Sequence, residues 1–154
     1  MTRIWLMKSE PDVFSIGDLK RRRKSLWDGV RNYQARNFMT QDMRVGDTIL
    51  FYHSNAEPPG VAGLAKVSGK AIADPTQFDR KSKYFEPRAT KEKPVWFCVE
   101  VEFVSEFPRL VPLDEIRSNS ILKSMALLQR GQRLSIQPVT ESQFQTIVQM
   151  AETR

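Results

Sequence analysis

The 154-residue sequence has one cysteine and one histidine, and each scarcity excludes a class of chemistry. Cys98 has no second thiol to pair with, which agrees with a reducing compartment. Cys98 and His53 together fall short of the four soft ligands of a structural zinc site, so no metal is assigned. No apolar run approaches the roughly 20 residues that span a bilayer, so no membrane partner is expected. The opening residues MTRIWLMK are followed by charge at Lys8 and Glu10 and by no small-residue cleavage site. They read as a first strand, and the protein is expected to stay where it is made. Catalytic signatures are missing too. Neither G-x-S-x-G nor H-E-x-x-H occurs, and GVAG at 60–63 lacks the lysine and helix of a phosphate loop. No catalytic residue and no cofactor is assigned.

What is plentiful is positive charge. A formal charge of +6 and a pI near 9.7 favour an anionic partner, nucleic acid first among the candidates. The densest run is Lys20, Arg21, Arg22, Arg23 and Lys24. A second basic stretch, with Arg80, Lys81, Lys83 and Arg88, lies in a long polar loop that continues to about residue 94. Both are candidate phosphate contacts, which position a protein on nucleic acid without specifying a sequence.

Length and composition fit one domain over 1–154, with no repeat or linker. Strands are expected at 4–7, 48–52, 61–73, 95–104 and 134–138. Helices are expected at 16–22, 32–43 and 119–130, with a helical turn at 113–117 and a last helix after Thr140. Ser15 with Asp18, and Thr140 with Gln143, have capping-box spacing. Residues 48–52 are apolar on both alternating faces, as in a central strand. Gly63, Ala65 and Gly69 in the next strand permit close approach and bending. Irregular strand spacing with inserted helices argues against a doubly wound sheet and for an α+β domain around a bent, partly closed sheet.

One stretch, 27–54, mixes aromatic rings, amides, guanidinium groups and His53, as a site for a flat, hydrogen-bonding ligand requires. Trp27 precedes Asp-Gly, a turn signal, so it sits at an element's edge where a ring face can stay open. Asn32 can read a donor–acceptor pattern or cap the helix that follows it. Trp5 and Trp96, read as strand residues, suit core packing, and Cys98 reads as a small packing residue in mid-strand.

The segments WLMKSEP at 5–11, WDGVRNYQARN at 27–37, GDTILFYHS at 46–54, DPTQFD at 74–79 and RLSIQPV at 133–139 together resemble the EVE domain family over essentially the whole chain. The resemblance implies a PUA-like fold, a bent β-barrel with helices around it, related to YTH and ASCH domains. It also implies non-catalytic recognition of a modified nucleobase, flipped out of DNA or RNA into an aromatic-lined pocket. Carried over by motif, the base contacts are Lys8, Ser9 and Glu10; Trp27, Asn32 and Tyr33; Tyr52, His53 and Ser54; and Arg133 and Leu134. The chain starts directly at the domain, so a bacterial, cytoplasmic protein is expected, with a nuclear location if the source is eukaryotic. Downstream action on the nucleic acid would need a separate nuclease or helicase. The alternative is a hydrolase acting on a nucleotide-like small molecule, with His53 working alongside Glu10 or Asp28.

Overall fold

The computed structural model describes residues 2–131 and 133–153. Six strands form one mixed sheet: β1 (Ile4–Ser9), β2 (Lys24–Leu26), β3 (Thr48–His53), β4 (Gly60–Ala73), β5 (Phe97–Pro112) and β6 (Ile136–Val139). Their order is β2-β5-β4-β3-β1-β6. Only β1 and β3 run parallel, from Ile4 opposite Thr48 to Ser9 opposite His53; the other pairs are antiparallel. The helices are α1 (Ile16–Arg22), α2 (Tyr33–Asn37), α3 (Leu113–Ser118) and α4 (Glu141–Glu152).

The central strand is buried on both sides, as its apolar run predicts. Ile49 and Phe51 join Trp5, Met7, Leu19 and Trp27 in one core, while Leu50 and Tyr52 join Ile4, Leu6, Ile116 and Ile147 in the other. Removing surface of this kind from water stabilises the fold by about 1.5–3 kcal/mol per large apolar side chain. Both capping boxes form: Ser15 and Asp18 start α1, and Thr140 and Gln143 start α4. The register of β4 against β5 shifts beside Gly63 and Gly69, and these irregularities bend the strand pair. At Gly63 a methyl group would sit 2.5 Å from the Ser105 carbonyl oxygen and 2.9 Å from Ile16, so α1 packs here only because glycine does.

Four expectations need correction. The α+β class holds, but the strand order is linear: β2 and β6 are edges and the sheet is open rather than closed into a barrel. Residues 119–130 do not form one helix. Leu122, Met125 and Leu128 each donate to the carbonyl three residues back, giving 3₁₀ turns at Ser120–Leu122 and Ala126–Leu128. The Asn119 side chain accepts from Ile121 N at 2.9 Å and fixes the first turn, leaving Ile121 exposed. The strand expected at 95–104 starts later and runs to Pro112, so Trp96 lies in the loop before it. Finally, a strand outside the expected set, β2, takes up the end of the basic run and pairs with β5 from Lys24 opposite Glu102 to Leu26 opposite Glu100.

Candidate nucleobase cleft

A cleft of about 560 Å³ opens where the parallel strands β1 and β3 end. Lys8, Ser9 and Glu10 come from the end of β1, Ser54 follows β3, and Arg133 and Ser135 precede β6. Residues 25–31 form the opposite wall, Val13 and Phe14 belong to the turn before α1, and Arg22 comes from α1. Tyr84 closes one side.

The wall at 27–31 is held from a distant part of the chain. Asp74, fully buried after β4, accepts from Gly29 N at 2.8 Å and from the Arg31 guanidinium at 3.1 Å. It also accepts from the Thr76 amide and hydroxyl. Arg31 in turn donates to the Tyr84 carbonyl at 2.7 Å, and its guanidinium lies 5.3 Å from the centres of both the Tyr84 and Trp96 rings. Gly29 has φ +81°, and a methyl group there would meet the Tyr84 ring at 2.8 Å. Glycine therefore provides both the backbone conformation and the space for Tyr84. Arg31, Asp74 and Tyr84 join the expected site residues; the signal for the first two is that Arg31 lies in WDGVRNYQARN and Asp74 in DPTQFD, two of the segments that carry the family resemblance.

Inside this frame, several polar groups are left for a ligand. The Trp27 ring is 8% exposed and stands edge-on to Phe51 at 5.4 Å. Its indole N–H meets no acceptor among the described residues, whereas Trp5 donates to Asp47 and Trp96 to Glu86, each at 3.0 Å. Asp28 is exposed in the cleft, and its carboxyl accepts no hydrogen bond from any other described residue. Shielding by the cleft walls and the nearby Asp74 carboxylate raise its pKa, against the opposing pull of Arg22 and Arg31. Lys8 is half-buried, which lowers its pKa; its ammonium lies 6.0 Å from the Tyr52 ring centre and has no carboxylate partner among the described residues. The Ser9 hydroxyl donates to the Phe14 carbonyl at 2.6 Å and keeps its acceptor capacity.

Of the eleven residues expected to touch a base, Lys8, Ser9, Glu10, Trp27, Ser54 and Arg133 line this cleft. The other five do not. Asn32 caps α2 by accepting from Ala35 N at 2.9 Å. Tyr33 stacks on Trp96 with ring centres 4.9 Å apart, under the Arg36 guanidinium. Tyr52 points into the second core, where burial raises its pKa. His53 Nε2 accepts from Ile16 N at 3.1 Å, and burial lowers its pKa, so this nitrogen is already engaged in holding α1. Leu134 precedes β6 and is half-buried.

The basic residues divide in the same way. Arg22 reaches the cleft, packing its guanidinium over Phe14. Lys20 faces Glu106 at 3.5 Å, Arg21 pairs with Asp18, Lys24 faces Glu102 at 3.8 Å, and Arg23 covers Phe103. Arg88 holds Glu86, which also accepts from Trp96; these bonds depress the Glu86 carboxyl to about 2. Lys83 lies over Tyr84, while Arg80 and Lys81 are exposed. Cys98 is fully buried, and burial pushes its thiol up to about 12, an inert packing group. Among the described residues no group of three His, Cys, Asp or Glu is placed to hold a metal ion, and no helix is long and apolar enough to cross a membrane.

The family described as the EVE domain matches residues 3–150. Thymocyte nuclear protein 1 of Homo sapiens is 42% identical over 167 residues, covering 96% of this chain and 73% of that protein. Among solved structures, a hypothetical protein from Leishmania major superposes with a TM-score of 0.94 at 49% identity, covering 99% of this chain and 96% of that one. The human THYN1 protein in complex with DNA containing 5-methylcytosine superposes with a TM-score of 0.92 at 41% identity, covering 99% of both chains.

Proposed function

The chain belongs to the EVE domain family, and on that premise we propose that its cleft binds a modified nucleobase extruded from DNA or RNA. The observation that carries this reading is the lining of the cleft: an aromatic wall residue whose N–H is unclaimed among the described residues and an open carboxyl, beside about 560 Å³ of space that Lys8, Arg22 and Arg133 also line. That volume lies within the range of small-ligand sites, and a flat heterocycle needs both ring contact and placed donors and acceptors. The complex of human THYN1 with 5-methylcytosine-containing DNA supports the ligand class. We read the bent sheet as PUA-like, with the cleft at its strand ends.

Trp27 and Phe14 contribute apolar walls, Ser9, Glu10 and Ser54 polar contacts, and Arg22, Lys8 and Arg133 positive charge towards the flanking phosphates. Exposed Arg80 and Lys81 extend that charge. The role is binding without turnover; a separate nuclease or helicase would act on the marked nucleic acid. The hydrolase alternative loses ground because His53 Nε2, its base, is occupied by the Ile16 amide.

The test is a binding panel of matched oligonucleotides carrying cytosine, 5-methylcytosine, 5-hydroxymethylcytosine, adenine or N6-methyladenine. One modified base should bind roughly tenfold tighter than its parent, the scale available from one added group in a shaped pocket, and Trp27→Ala should remove the preference. Equal affinity across the panel, unchanged by Trp27→Ala, contradicts the proposal.

A further inference from the structure

We propose that Asp28 recognises the base by its amidine edge, an exocyclic amine beside an unprotonated ring nitrogen as in cytosine and adenine, and that the pair shares one proton taken up from solvent. The inference rests on the assignment of the cleft as a base site and goes on to name the edge that is read.

Three observations converge on this carboxyl. It lies in the cleft lining beside Trp27, on a wall that Asp74 and Arg31 hold in place. No other described residue hydrogen-bonds to it, whereas Asp47 and Asp74 each accept several N–H or O–H donors. The groups that act on it come from three segments: Asp74 after β4, Arg22 on α1, and Arg31 ahead of α2. Arg31 is already committed to Asp74 and to the Tyr84 carbonyl, and so is poorly placed to neutralise Asp28.

The stoichiometry of donors then decides the pairing. An ionised carboxylate has acceptors only. Facing an amidine edge, one oxygen accepts from the amine, but the other is set against the lone pair of the ring nitrogen. A single proton in that second contact turns repulsion into a hydrogen bond, either O–H to nitrogen or protonated nitrogen to carboxylate oxygen. Shielding and the Asp74 charge both favour retention of a proton at Asp28. Lys8, Glu10, Tyr84 and Arg133 also line the cleft, and His53 titrates behind it, so the experiment must separate Asp28 from these groups.

Affinity for a 5-methylcytosine oligonucleotide would be measured from about pH 5.5 to 8.5 on wild type, Asp28→Asn and Asp28→Ala, each relative to the same strand with an abasic site, and read as a linkage slope. That reference strand cancels the general effect of pH on phosphate binding, and a matched strand with unmodified cytosine tests the underlying assignment. Wild-type preference should rise as pH falls, by up to about tenfold per pH unit for one proton taken up. Asp28→Asn carries a C=O beside an N–H, the pattern of the neutral acid, and should bind 5-methylcytosine with a flat profile. Asp28→Ala should lose roughly tenfold or more, the scale of one base-edge pair, also with a flat profile. A flat wild-type profile together with a preference for 5-methylcytosine over cytosine, or an Asp28→Asn profile that keeps the wild-type slope, overturns the role of Asp28 and leaves the base site standing. No wild-type preference for 5-methylcytosine over either reference strand overturns the 5-methylcytosine assignment and the inference with it.

Discussion

Two tryptophan–aspartate pairs, one formed between strand β1 and the turn before β3 and one of adjacent loop residues, have opposite fates. Trp5 and Asp47 meet: the indole N–H donates to the carboxylate at 3.0 Å, and the same carboxylate accepts from the amides of Arg3 and Arg44, with Asp47 only 1% exposed. Trp27 and Asp28 are neighbours in sequence, yet among the described residues neither polar group meets a partner side chain. The first pair is buried and makes its hydrogen bonds within the fold, at the approach to β3. The second faces a cleft with its capacity intact. Residue type therefore says little about recognition; what matters is how many hydrogen bonds the fold itself leaves unmade.

Breaking the first pair should have the largest effect. Asp47→Ala strands three N–H donors and should destabilise the fold by about 3 kcal/mol or more, read by chemical denaturation. Next comes Trp27→Phe, which keeps an aromatic wall against Phe51 and removes the unclaimed N–H. It should weaken binding of a modified base about tenfold, the scale of one lost hydrogen bond at a desolvated site, in fluorescence-anisotropy titrations, with little change in folding. The smallest effect is on stability at Asp28. Its folded-state pKa lies above the unfolded value, so its ionised form opposes folding at neutral pH. Asp28→Asn should accordingly raise the melting temperature slightly at neutral pH. The gain should fade as pH falls through the folded-state pKa towards the unfolded one, as a melting series across pH would record.

Much of the frame was legible because it rests on local chemistry. Capping boxes at Ser15 and Thr140, the doubly apolar run of β3 and the glycines of β4 each announce their structure within a few residues. Residues 119–130 misled because an apolar period does not distinguish bonds to the third residue back from bonds to the fourth; the Asn119 side chain makes that choice. Open and closed sheets share the same strand patterns, so closure was not readable either. At the site, the turn at Trp27 stood out through its Asp-Gly signal. The engagement of Asn32, Tyr33 and His53 was less accessible. Asn32 satisfies a local cap, but Tyr33 needs Trp96 and His53 needs Ile16, partners remote in sequence. The Arg31–Asp74 pair, 43 residues apart, is equally invisible to spacing and holds the whole wall.

The three tryptophans allow a direct test of where the ligand sits, because each indole N–H gives its own resonance in a ¹⁵N-labelled sample. Titrated with an oligonucleotide carrying the preferred modified base, the Trp27 indole signal should shift as the base enters the cleft. The Trp5 and Trp96 signals, already bonded to Asp47 and Glu86, should stay in place. Saturable binding that leaves Trp27 unmoved, or that shifts Trp96 in its stead, would put the base elsewhere and contradict the assignment of the cleft.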